Sequence, residues 1–214
     1  MADKGKSIRP GQSEPGLRAA SRRELDRTPA HRTTDSTREL KRHAPHAPTT
    51  VEKLVSGGQT GADRAALDFA IAHGIPHGGW CPRGRLAEDG ALEGCYELRE
   101  TPEEQYPQRT EWNVRDADGT VIFSIAPELT GGSKLTAELA ADLKKPWLHL
   151  SQLRDGLEAV GRLRAFVLAN HIRVLNVAGP RASNEPSVAR FVIETLEGLF
   201  NVTKARSREW NRYT

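Results

Sequence analysis

The sequence predicts an α/β chain, a mostly parallel sheet with helices packed on it, preceded by a disordered basic N-terminal tail. Three observations carry this. From Val51 onward short apolar runs alternate with amphipathic stretches, the pattern of strands and helices layered around one core. A strand, a small-residue loop and a helix follow one another at 55–63, 125–136 and 176–183. Residues 1–50 contain no Phe, Trp, Tyr or Val and are broken by Pro10, Pro15, Pro29, Pro45 and Pro48, so they cannot bury enough apolar surface to offset the entropy of ordering. The expected organisation is a tail over 1–50, one domain over 51–201 and a C-terminal extension over 202–214.

Taken in order, EKLVSGG reads as the first strand. ADRAALDFAIAHG follows as a helix with Ala62, Ala65, Ala66, Phe69 and Ala70 on one face and Gly74 as its stop. PHGGWCP is a short strand, and 83–101 a polar connection with a turn at EDG. TPEEQYPQRTEWNVRDAD is helical in its second half. GTVIFSI, β-branched and aromatic after Asp118-Gly119, is the strongest strand. GGSKLTAELAADLKKP is a helix with Leu135, Leu139 and Leu143 four residues apart and Pro146 beyond its end. WLHL is a strand, LRDGLEAVGRLRAFVLANH a single helix, and IRVLNVAG a strand. NEPSVARFVIETLEGLF closes the domain as a helix capped by Ser183 or Asn184.

Composition narrows the function. The net charge of +3 is unevenly spread, because 1–50 holds eleven Lys/Arg against six Asp/Glu and the rest of the chain is slightly acidic. The tail is therefore either a solvated leader or a weak electrostatic contact for nucleic acid, and no aromatic-interleaved basic patch supports the second. No apolar run is long enough to span a membrane and no secretory h-region is present, so a cytoplasmic location is expected. Cys81 and Cys95 are the only cysteines, too few for a disulfide framework or a four-thiolate zinc site. His77 and Cys81 are four residues apart without evident further ligands, and no metal site is expected.

The three loops carry the chemistry. In a parallel sheet they lie at the carboxyl ends of strands, where one crevice can use all of them. Glycine lets backbone approach a ligand, and the following helix offers unpaired N–H groups and partial positive charge to an anion, most often phosphate. The candidate ligand-binding residues are Gly57, Gly58, Thr60, Gly61, Asp63 and Arg64 in the first loop, and Gly131, Gly132, Ser133 and Thr136 in the second. Gly179, Arg181 and Ser183 come from the third, and Arg109 and Asn113 share a face of the intervening helix. Each has a bland alternative: glycines for tight turns, Asp63 for the helix dipole, Arg109 and Asn113 for a buried polar network. Neither G-x-G-x-x-G nor G-x-x-x-x-G-K-[ST] occurs, which excludes the usual NAD and P-loop cradles.

The segments SGGQTGADRAALDFAI, GGWCPRGRLAEDG, YPQRTEWNVRDADGTVIF, TGGSKLTAELA and LNVAGPRASNEP resemble the molybdenum-cofactor carrier family, the circularly permuted YpsA-like branch of the SLOG superfamily related to the LOG enzymes. The resemblance spans about 53–200 and implies a Rossmann-like three-layer sandwich, a nucleotide-like or pterin ligand, the molybdenum cofactor (molybdopterin) as cargo, and a homo-oligomer. The P-G-G-x-G-T-x-x-E motif of LOG enzymes is similar to Thr130–Glu138, where Gly131, Gly132 and Glu138 keep their spacing. Thr130 replaces the proline, Lys134 the third glycine, and the threonine falls one position late at Thr136. The leading expectation is a carrier or sensor for a phosphate-bearing ligand. The alternatives are a nucleoside monophosphate phosphoribohydrolase, with Glu138 polarising the N-glycosidic bond and Arg109 stabilising charge, and a nucleic-acid-associated protein using the tail.

Overall fold

The structure is a computed structural model and describes residues 49–202. The expected disordered tail over 1–50 and C-terminal extension over 202–214 lie outside the described residues except at Thr49, Thr50 and Val202, and the Thr50 hydroxyl donates to Ile172 O at 3.0 Å.

Strands β1 (Lys53–Val55), β2 (His77–Gly78), β7 (Gly119–Ser124), β8 (Trp147–Ser151) and β9 (Val174–Ala178) form one sheet in the order β2-β1-β9-β7-β8. All of its pairings are parallel. Helix α1 (Ala62–Ala72) joins β1 to β2, moving outward in one direction; α3 (Gly131–Asp142) joins β7 to β8, moving outward in the other. Right-handed crossovers of opposite sense place the two helices on opposite faces. The chain thus switches direction around the central β1, β9 and β7, and their carboxyl ends surround a crevice.

Alternation along the strands builds the two layers. Leu54, Leu175, Val177, Val121 and Phe123 face α1, α5 (Ala159–Ala169) and α6 (Val188–Phe200), forming with Phe69, Leu163, Phe191 and Leu196 the main core. Burying each such side chain contributes about 1.5–3 kcal/mol. The alanine face expected on α1 is buried at all five positions. On the other face α2 (Tyr106–Asp116) packs against α3. Between β2 and α2 lies an insertion with β3 (Trp80–Cys81), β4 (Leu86–Ala87), β5 (Gly90–Ala91) and β6 (Arg99–Glu100). Its Cys81, Leu92 and Leu98 pack on Leu67 as a second small core.

Four local expectations are corrected. PHGGWCP is two strands in separate sheets, because Gly79 turns at φ 124°, where a Cβ would sit 2.3 Å from Ser56 O. The helix expected from Leu153 to His171 is broken: α4 (Gln152–Asp155) ends at Gly156, φ 35°, before a 3-10 turn leads into α5. The stripe of Leu135, Leu139 and Leu143 is not the buried face of α3; Ser133, Thr136, Ala137 and Ala140 are, because small side chains let α3 lie close to the sheet and α2. Finally, α6 begins at Val188 rather than after Ser183 or Asn184, since the Ser183 hydroxyl donates instead to Glu88 Oε2 at 2.6 Å.

Candidate functional site

A cavity of about 770 Å³ opens at the carboxyl ends of β1, β9 and β7, and all three small-residue loops line it together with the start of α2. Its size is that of an ordinary small-molecule site.

The first wall is built around a buried ion pair. Arg109 Nη1 donates to Asp63 Oδ2 at 2.8 Å, with Asp63 3% and Arg109 13% exposed. Burial pushes the Asp63 carboxyl up, and the Arg109 charge and hydrogen bond pull it back. Gly57 leaves room for this pair: a Cβ there would lie 1.5 Å from Arg109 Nη1. Beside it, Gln59 Oε1 accepts from the N–H groups of Thr60 at 3.0 Å and Glu88 at 2.9 Å. Gln59 Nε2 and Arg109 Nε are buried without a hydrogen-bond partner among the described residues, and both side chains belong to the cavity wall.

The second wall is the start of α3. Thr130 makes no side-chain cap, and among the described residues no acceptor meets the backbone N–H groups of Gly131, Gly132 or Ser133. A helix start in this state favours an anion. Thr136 lines the cavity, but its hydroxyl donates to Gly132 O at 2.9 Å. The third wall brings Gly179, Arg181 and Ser183. Here Gly179 lets loop and strand touch, a Cβ falling 2.6 Å from Ala62 Cβ and 2.7 Å from Phe123 O. The guanidinium groups of Arg181 and Arg109 lie 5.6 and 5.7 Å from the centre of one ring, Tyr106.

Several expected residues stand elsewhere. Gly58, Thr60, Gly61 and Arg64 are not in the lining. Thr60 donates its hydroxyl to Glu88 and accepts from Ala182 N–H, while Arg64 grips both oxygens of Asp89 at 3.1 Å. The β4–β5 turn is thereby a clasp over loops one and three, with Arg181 Nη1 loosely 3.7 Å from Glu88. The start of α1 is also closed, because Ala62 N–H donates to Pro180 O at 3.2 Å. Asn113 borders the cavity, yet its amide is bonded both ways to the Trp80 backbone at 2.8 and 2.9 Å. Glu138 is 56% exposed, pairs with Lys134 at 3.8 Å and is absent from the lining. Cys81 is buried in the second core, where burial pushes its thiol up. No cluster of metal-binding side chains occurs among the described residues.

Sequence reasoning missed Gln59, Tyr106 and Glu185. A glutamine inside a small-residue turn, with no helix or core role, was the available signal for Gln59. Glu185 had none: its carboxylate caps the end of β7, accepting from Ile125 N–H at 2.6 Å, a contact across 60 residues.

Comparison with known proteins agrees with this architecture. The family model of the circularly permutated YpsA SLOG family matches residues 54–200. A solved structure from Syntrophus aciditrophicus SB, named "Putative molybdenum carrier protein", is similar at 47% identity and TM-score 0.70, covering 72% of this chain and 97% of its own. No curated protein matches. No described helix is long and apolar enough to cross a membrane. With its crevice at the switch point of a Rossmann-like sheet, the chain belongs to the circularly permuted YpsA branch of the SLOG family.

Proposed function

We propose that this protein is a cytoplasmic carrier or sensor that holds a phosphate-bearing nucleotide derivative or pterin in the 770 Å³ cavity, with the molybdenum cofactor as one such cargo. The observation that carries the reading is the uncapped start of α3 facing the same cavity as Arg109 and Arg181. Backbone N–H groups of Gly131, Gly132 and Ser133 take the phosphate oxygens, and the guanidinium groups supply full charge. Ser133 adds a hydroxyl. The orphaned Gln59 Nε2 and Arg109 Nε fit a wall that meets polar ligand atoms on binding.

The residues present fit the phosphate and the polar ring of molybdopterin. They provide no thiolate for the metal, because Cys81 lies in the second core; molybdenum held here keeps the ligands with which it arrives. The carrier name of the Syntrophus protein supports the same choice of cargo. Cys81 and Cys95 are both free thiols, in keeping with a reducing compartment. A homo-oligomer is the assembly we infer from exposed Trp147, Leu153 and Leu157 around the β8 edge.

The test is calorimetric titration with 5′-AMP, adenosine and molybdopterin. The two phosphate-bearing compounds bind, adenosine binds about tenfold more weakly or worse, and Arg109→Met weakens the first two. Equal binding of adenosine and 5′-AMP would overturn the phosphate site.

A further inference from the structure

A second cavity, of about 420 Å³, lies under β1 and β9 on the sheet face that carries α2. Lys53 and Val55 point to this side because Leu54 between them belongs to the main core on the other. The floor is apolar, made by Val55 and Val174, and one wall is Trp80. Two cations border it. Among the described residues Lys53 Nζ has neither a hydrogen bond nor an ion pair, and the Arg99 guanidinium has no carboxylate, only the Trp80 ring 5.8 Å from its Cζ.

The acids and the imidazole around the cavity do not neutralise both cations. Asp116 is engaged elsewhere, accepting from the Trp80 indole N–H at 2.8 Å and from Arg115, its charge partner, at 2.7 and 3.1 Å. The ring of His77 faces the backbone of Cys95 and Glu97. Glu97, on the exposed connection, is the only remaining carboxylate in the lining. Two unpaired cations beside an apolar floor and an indole match an anionic head on a flat or apolar body.

We propose that this cavity is a second ligand site, for a small organic anion with a carboxylate or phosphate head, whose charge is met by Lys53 and Arg99 and whose body rests on Val55, Val174 and Trp80. Its occupancy is felt in the first cavity. Asn113 borders both, clamps the Trp80 backbone through both atoms of its amide, and stands one helical turn after Arg109 on the same face of α2. A ligand that shifts Trp80 therefore acts on the helix that presents Arg109, and the coupling is reciprocal. The site itself does not depend on what the first cavity binds.

The Trp80 indole N–H reports on this site by nitrogen-edited NMR of the full chain. Benzoate, phenyl phosphate and inorganic phosphate are titrated in separate arms. Benzoate or phenyl phosphate shifts the Trp80 signal saturably, the stronger of the two identifying the head group, and inorganic phosphate acts more weakly because it lacks the apolar body. Lys53→Met weakens the effect about tenfold. Arg99→Gln, at an exposed position, repeats the test should Lys53→Met fail to fold. No saturable shift with any probe at millimolar concentration overturns the site. So does a shift that both substitutions leave unchanged, which would mean that the anion acts from the first cavity alone.

Discussion

Gly57→Ala tests the buried pair on which the first wall depends. Gly57 is not among the residues with positive φ, so the new methyl meets no backbone strain; it meets Arg109. An ideal Cβ lies 1.5 Å from Nη1, 2.4 Å from Cζ and 2.8 Å from Asp63 Oδ2. Carbon and nitrogen settle near 3.5 Å, so the guanidinium must retreat by about 2 Å. That breaks the 2.8 Å contact and strands Asp63, which is 3% exposed. Separating a buried pair costs about 3–5 kcal/mol, and the low end applies because the displaced arginine can reach the cavity. For a domain of this size about 3 kcal/mol lowers the melting temperature by about 6–12 °C. The pH dependence has a definite sign. Burial raises the folded pKa of Asp63 above the unfolded value, so its protonation favours the folded state, fully below the unfolded pKa and less as pH rises through the folded one. Removing Arg109 raises the folded value further, and the variant's deficit is therefore largest near neutrality and shrinks as pH falls toward about 4. Thermal and urea unfolding of Gly57→Ala, Arg109→Met and the double variant measure this. Equal stability of Gly57→Ala and wild type, or single deficits that simply add, would refute the reasoning.

Gly132→Val and Gly58→Val separate ligand contact from packing. A Cβ at Gly132 meets nothing within 4 Å, whereas one at Gly58 lies 2.7 Å from Leu92 and Leu98 at φ 77°. The first is expected to fold and lose about tenfold or more in 5′-AMP affinity, the second to lose stability by about 1–3 kcal/mol in urea. Glu138→Gln leaves ligand affinity unchanged and shifts stability by less than about 0.5 kcal/mol, as befits an exposed pair; a large loss of binding or of turnover would favour the hydrolase alternative. For the clasp, the Ser183 and Thr60 hydroxyls hold the Glu88 carboxyl below its ordinary range. The clasp is complete above the unfolded carboxylate pKa and is lost as pH falls through the lower folded one, so protection of the Ser183 amide, its exchange rate taken against the intrinsic rate at the same pH, falls in acid, and falls in Glu88→Gln at all pH.

The layers of the fold were legible because their signals are local. The run from Gly119 to Ser124 is buried at every position, and its β-branched and aromatic side chains marked it as a central strand. The alanines of α1 sit at helical spacing with nothing else to do. Glycine loops after three strands located one cavity for the same reason: strand ends of a parallel sheet share an edge. What failed depends on contacts distant in sequence. Four-residue spacing cannot tell whether leucines or the small residues between them face the sheet, and so α3 was turned the wrong way; Glu138 was singled out by motif likeness alone, which carries no information on which way its side chain points. Thr60, Arg64 and Ser183 look like ligand donors until the β4–β5 turn supplies Glu88 and Asp89. Glu185 reaches β7 only through the folded chain, and no spacing announces it.

The most direct test of the ligand site is native mass spectrometry of gently purified protein, followed by denaturation, identification of the released small molecule and elemental analysis for molybdenum. The account predicts one phosphate-bearing pterin or nucleotide per chain, lost in Gly57→Ala and Arg109→Met. A protein that is empty when isolated and also binds neither 5′-AMP nor molybdopterin would contradict it.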